Sequence, residues 1–96
     1  MQTTKEPVLV NGEPVHYDKV PVGYMTQAVE YYIEHGIQPG GFLSAVLQND
    51  FIEAVGRADE ENGNHLREWG VFLYNYLPVG SYGSQDNFQN WMSKER

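Results

Sequence analysis

The chain has 96 residues, no cysteine, and 13 acidic against 6 basic side chains, for a net charge of −7. Lack of cysteine excludes disulfides, thiolate metal sites and thiol chemistry. The acidity disfavours direct binding to duplex nucleic acid, where affinity comes largely from Lys and Arg neutralising phosphates.

A hydrophobic fraction of 41% with 14% aromatics belongs to a folded chain of one domain and one modest core. No apolar run approaches the roughly 18 residues of a membrane span. The N-terminus also lacks the apolar stretch of a signal peptide, so the expectation is a soluble, cytoplasmic protein without a membrane role. Charge is unevenly spread. Between Val20 and Ser93 only Arg57 and Arg67 oppose nine acids, Glu30, Glu34, Asp50, Glu53, Asp59, Glu60, Glu61, Glu68 and Asp86. Lys5, Lys19, Lys94 and Arg96 sit towards the ends. An acidic body suits a protein partner with a basic surface, or simply keeps a small protein in solution.

In chain order, residues 1–6 are polar and expected to fray; residues 7–96 form the single domain. Asn11-Gly12, between two valine-rich runs, predicts a β-hairpin over residues 7–17, because both residues tolerate the positive φ of a type I′ turn. Pro14 cannot donate to a ladder, so its strand is an edge or ends early. A helical body is expected over residues 22–94. Met25, Val29, Tyr32 and Ile33 fall on one face of a first helix, Val22 to His35, or one starting a turn later behind a Thr26 cap; Gly36 ends it. Pro39-Gly40-Gly41 opens a second helix, Phe42 to Gln48, burying Phe42, Leu43, Val46 and Leu47. Asp50 and Glu53 have capping-box spacing and start a third helix, with Phe51, Ile52 and Val55 as its buried set. Asp59 to Asn64 reads as a solvated acidic link. The most regular stripe, Leu66, Trp69, Phe72, Leu73, Tyr76 and Leu77, marks a fourth helix that Pro78 stops. Ser84 caps a last one, Gln85 to Lys94, whose Phe88, Trp91 and Met92 cover the core. The expected fold is mainly α, a compact bundle of four or five short helices with an N-terminal hairpin.

No catalytic constellation is present. His16 and His65 have no spacing that joins them to a serine, and carboxylates are too plentiful to select a pair. The chain reads as a non-enzyme with no cofactor. Asp59, Glu60, Glu61, Asn62 and His65 fail as a Ca²⁺ loop, since the fifth place is Gly63 and the twelfth Gly70, where a carboxylate is required; no metal site is assigned. Arg57 stands among Asp50, Glu53, Asp59 and Glu61. It either ties the Asp50 and Asp59 turns together or grips a phosphate or a partner's carboxylate. The turns at Gly40-Gly41 and Gly80-Ser81-Tyr82-Gly83-Ser84 lead into helices but lack the Lys-Ser/Thr of a P-loop. Tyr31 and Tyr74 fall off the core stripes and are expected on the surface.

The runs His-Gly-Ile-Gln-Pro-Gly-Gly-Phe-Leu-Ser-Ala-Val-Leu-Gln-Asn-Asp (35–50), Ala-Val-Gly-Arg-Ala-Asp-Glu-Glu-Asn (54–62), Leu-Tyr-Asn-Tyr-Leu-Pro (73–78) and Gly-Ser…Trp (83–91) resemble a family of small, mostly uncharacterised bacteriophage and prophage proteins. The resemblance spans Tyr24 to Trp91 and leaves the hairpin outside. Where those relatives often carry Cys-Trp before the last helix, this chain has Ser81-Tyr82. The resemblance implies a phage accessory protein in a bacterial host cell and carries no activity residue by residue.

Joined to the acidic body, it leads to a non-enzymatic protein that binds and inhibits or redirects a host protein, for example in counter-defence against an RNA-guided nuclease. Glu30, Tyr31, Glu34, Glu60 and Glu61 are the expected contacts. A second reading is a sponge for a nucleotide immune signal, with Arg57, Ser81 and Ser84 holding phosphate and Tyr82 or Trp91 stacking on the base. In that reading the protein is a homo-oligomer, because so short a chain has little room for an internal pocket of about 300 Å³. A third is a structural or regulatory phage component.

Overall fold

The structure, a computed structural model, describes residues 6–95. Residues 1–5 of the expected frayed segment, and Arg96, lie outside the described residues. The described residues form six short α-helices, two 3₁₀ turns and one two-stranded hairpin, so the mainly helical bundle is what forms.

Strands β1 (Leu9–Val10) and β2 (Glu13–Pro14) pair antiparallel, with Leu9 opposite Pro14 and Val10 opposite Glu13. Asn11 (φ 53°) and Gly12 (φ 82°) both take the positive φ that a type I′ turn requires. The hairpin lies on the helical body: Val8 and Val10 pack on the core, and Val15, Val20 and Val22 of the segment behind it enter that core. Glu34 holds it there. Its Oε1 accepts from the Val8 amide at 3.0 Å and its Oε2 from the Tyr17 hydroxyl at 2.6 Å. Burial, then the bond to Glu34 and its charge, push the Tyr17 phenol well above the ordinary tyrosine range.

Helix α1 (Thr26–His35) follows a 3₁₀ turn at Gly23–Met25, so the start expected at Val22 is displaced by one turn. Gly36 ends α1 in the left-handed region (φ 68°). Helices α2 (Gly41–Leu47) and α3 (Phe51–Arg57) are separate because Asn49 turns left-handed (φ 63°) and Asp50 caps α3 by accepting from the Glu53 amide at 3.3 Å. The acidic link is itself one helical turn, α4 (Glu60–Gly63), capped by Asp59, which accepts from the Asn62 amide at 2.8 Å. Helices α5 (Leu66–Tyr76) and α6 (Gln85–Ser93) complete the bundle, the latter capped by the Ser84 hydroxyl.

Tyr32, Ile33, Leu43, Leu47, Trp69, Phe72 and Phe88 form the centre of the core. Tyr32 stacks on Phe88 with ring centroids 5.4 Å apart. Trp69 meets Phe42 and Phe72 edge-on. Among the described residues every buried side-chain nitrogen and oxygen has a hydrogen-bond partner. The buried Asn62 Oδ1, for instance, accepts from Trp69 Nε1 at 2.9 Å.

One expected core set is wrong. Phe51 is 65% exposed, Ile52 77% and Val55 44%; only Ala54 of α3 is buried. The apolar stripe on α3 is real, but it points outward, because the helix docks through its smallest side chain. Val46 and Met92 are half-buried at the edge of the core rather than inside it.

Two substitutions check these ties by denaturant unfolding. Asn62→Ala leaves the Trp69 indole N–H buried without a partner and is expected to cost about 1–3 kcal/mol. Glu34→Ala removes two hydrogen bonds to a carboxylate and is expected to cost about 1.5–3 kcal/mol, with faster amide exchange at Val8 and Val10.

Candidate functional site

Because α3 presents its apolar stripe outward, a groove of about 340 Å³ opens between α3 and α5. Phe51 and Ala54 form one wall, and Leu66, Gly70 and Tyr74 the other. Val46, Trp69 and Leu73 make the floor. Asn49 and Asp50 close one end, and Tyr82 with Gly83 form a lip. Tyr74 is 79% exposed, as its place off the core stripe predicts. It shares the groove with the exposed Phe51, a pair of exposed large apolar side chains of the kind that marks interaction surfaces.

Gly70 stands in the middle of α5, where glycine is less favourable than alanine by about 1 kcal/mol. No atom lies within 4 Å of the place its Cβ would take. Internal packing therefore gives no reason for a glycine there. Gly41 is the opposite case: a Cβ there would meet Arg57 Cδ at 2.9 Å. The arginine side chain lies across the start of α2.

Arg57 does not join the Asp50 and Asp59 turns. It pairs with Glu53 one turn back on α3, at the surface, where such pairs contribute little. It lines a second depression with Gln38, Gly41 and Gln48, which meets the groove that Tyr82 lines at Asp50. The nucleotide-site residues are not free for that task. Ser81 is fully buried; its hydroxyl donates to the Pro78 carbonyl at 2.7 Å and its own carbonyl accepts from the Tyr32 hydroxyl at 2.8 Å. Trp91 is 7% exposed, donates its indole N–H to the Ile33 carbonyl at 3.2 Å, and has Lys94 Nζ 3.8 Å above its ring. Ser84 is the α6 cap. Of the set only Arg57 and Tyr82 line openings, and these are two different ones. The expected phosphate-and-base site does not assemble, because glycines at 80 and 83 serve to bury Ser81 between them rather than to expose amides.

The five expected partner contacts divide. Glu34 is half-buried, with its two carboxylate oxygens bonded to the Val8 amide and the Tyr17 hydroxyl. Glu30 is exposed on the flank of α1 whose charge acts on Tyr17. Tyr31 (42% exposed) lines a depression of about 310 Å³ with Tyr24, Ile37 and Pro39. Glu60 and Glu61 are exposed on α4, beside Asp59. The Tyr24 hydroxyl donates to Asp59, which brings the tyrosine face and the α4 acids together. Sequence reading missed that bond, which joins residues 35 apart. It also missed the groove, since periodicity marks a stripe on a helix but not the direction in which it points.

Among the described residues no three His, Asp or Glu side chains converge to hold a metal ion, and no helix is long and apolar enough to cross a membrane. Comparison with protein families, curated proteins and solved structures finds no match for the chain.

The Tyr24–Asp59 bond has a direct readout. The bond to Asp59, ahead of desolvation and the Asp59 charge, pushes the Tyr24 phenol up to about 12, and the same bond lowers the Asp59 carboxyl. In spectrophotometric titration Tyr24 is expected to ionise near that value, and Asp59→Asn to return it towards about 10. The signs follow from linkage. The contribution of Tyr24 is full below about pH 10 and lost as pH rises through its folded value; that of Asp59 is full above the ordinary carboxyl range and lost as pH falls through its lowered value.

Proposed function

We propose that this protein is a non-enzymatic binding module that seizes a protein partner in the α3–α5 groove. The observation that carries this reading is the pair of exposed aromatics Phe51 and Tyr74 on a cleft that Trp69 and Leu73 also line, with Ile52 and Val55 exposed on the same helix as Phe51. Aromatic anchors over a desolvated floor are the usual seat of binding energy at interfaces. The exposed Glu30, Glu60 and Glu61 act at longer range, raising the rate at which a basic partner arrives. With the phage resemblance, the setting is a small acidic phage protein in the bacterial cytoplasm that inhibits or redirects a host protein. The nucleotide-sponge reading has no support from the buried Ser81 and Trp91.

The test compares what the wild type and a Phe51→Ser/Tyr74→Ser variant retain from bacterial lysate, by native mass spectrometry. Both positions are exposed, so stability is expected to stay within about 0.5 kcal/mol per substitution. A stoichiometric protein carried by the wild type is expected to bind the variant at least about tenfold more weakly. Equal retention by the two overturns the groove as the binding surface. Charge reversal at Glu60 and Glu61 is expected to slow association chiefly at low salt and to leave dissociation unchanged.

A further inference from the structure

Three features of the groove say what kind of segment fits it. The first is its walls. Both are α-helices, whose main-chain groups bond within the helix, and the only strand pair among the described residues is the hairpin at the other end of the sequence. An extended peptide in the groove would find no ladder for its own amides and carbonyls and would lose water from them. A helix carries its backbone bonds with it. The second is Gly70. Its missing side chain opens the α5 wall at mid-length with nothing of this chain filling the space, so the axis of an incoming helix can come close to α5 there.

The third is charge. Of the residues lining the groove, only Asp50 is an acid and none is Lys or Arg. Neither basic side chain of the body lines the groove: Arg57, paired with Glu53, lines the depression across α3 that shares Asp50 with the groove, and Arg67 lines that on the opposite flank of α5. Asp86 stands exposed in the first turn of α6, three residues along the chain from Gly83. A second copy of this chain, itself at −7, would bring the same acids against these.

We propose that the α3–α5 groove takes an amphipathic, basic α-helix of a partner protein. Its apolar face, at i, i+3/i+4 and i+7, rests on Trp69 and Leu73 between Phe51 and Tyr74, and its Lys and Arg side chains lie towards Asp50. Helix α5, about 16 Å long, supports an occupant of about three turns. This rests on the reading of the groove as the binding surface.

The experiment titrates the full chain with fluorescent synthetic peptides of about 14 residues, by anisotropy. One is a Leu/Lys amphipathic helix; the second has the same composition with the leucines scrambled off the helical period; the third replaces Lys by Glu. The Leu/Lys helix is expected to bind saturably, at least tenfold more tightly than either other peptide. Gly70→Leu, which fills the opening from an exposed helix position and meets no atom of this chain at its Cβ, is expected to weaken it at least tenfold while the unfolding midpoint does not fall. Equal binding of the Glu peptide or the scrambled peptide overturns the proposal, as does binding indifferent to Gly70→Leu. A concentration-dependent dimer in light scattering that Gly70→Leu abolishes also overturns it, in favour of a second copy. Absence of peptide binding, while Phe51→Ser/Tyr74→Ser still releases a lysate protein, overturns the helix and leaves the groove standing.

Discussion

The fold depends most on one buried junction, where the Tyr32 hydroxyl donates to the Ser81 carbonyl across 49 positions of sequence. Both residues are fully enclosed, and the Tyr32 ring is stacked on Phe88. Two further bonds converge on the same place. The Gly83 amide donates to the Leu47 carbonyl at 2.9 Å, and the Trp91 indole donates to the Ile33 carbonyl. Helices α1, α2 and α6 are thereby held through a turn that contains no large apolar residue of its own at the buried position. A serine fits there because its hydroxyl closes back on Pro78; the neighbouring glycines, at φ 95° and 109°, let the chain enter and leave. In a low-dielectric interior such bonds are strong when complete and costly when broken, so the junction sets the bundle's register.

That junction also explains why the groove is a fixed feature. Its lip at Tyr82 and Gly83 belongs to the buried turn, and its floor at Trp69 is pinned by Asn62. Its α3 wall is set by the left-handed Asn49 and the Asp50 cap. Each support is a polar bond or a backbone conformation lying behind the groove surface. The surface itself is left apolar and uncovered. In the proposed reading, such an arrangement keeps the ordering entropy of binding small.

Acidity serves two separate purposes in this small protein. Some carboxylates are structural: Glu34 holds the hairpin to α1, and Asp59 caps α4 while accepting from Tyr24. Others, Glu30, Glu60 and Glu61 among them, stand in solvent and contribute a field rather than a contact. The groove carries almost none of this charge. In the proposed reading, steering and contact are divided between different parts of the surface, with Arg57 paired locally with Glu53.

Local chemistry was legible from the residues alone. Asn11-Gly12 specifies the hairpin turn, Gly36 the end of α1, and Asp50 and Ser84 the starts of α3 and α6, because capping and turn formation involve groups within about four residues of one another. The regular stripe of α5 likewise buries Trp69, Phe72, Leu73 and Leu77 as its spacing requires. What only the tertiary structure decided is which polar residues go in and which apolar ones stay out. Ser81 and Asn62 are buried because distant partners, Tyr32 and Trp69, complete their bonds. Phe51, Ile52 and Val55 are exposed because α3 docks through Ala54 and no other element reaches over its outer side. A stripe of apolar residues fixes a face of a helix; whether that face is covered depends on where the rest of the chain has been placed.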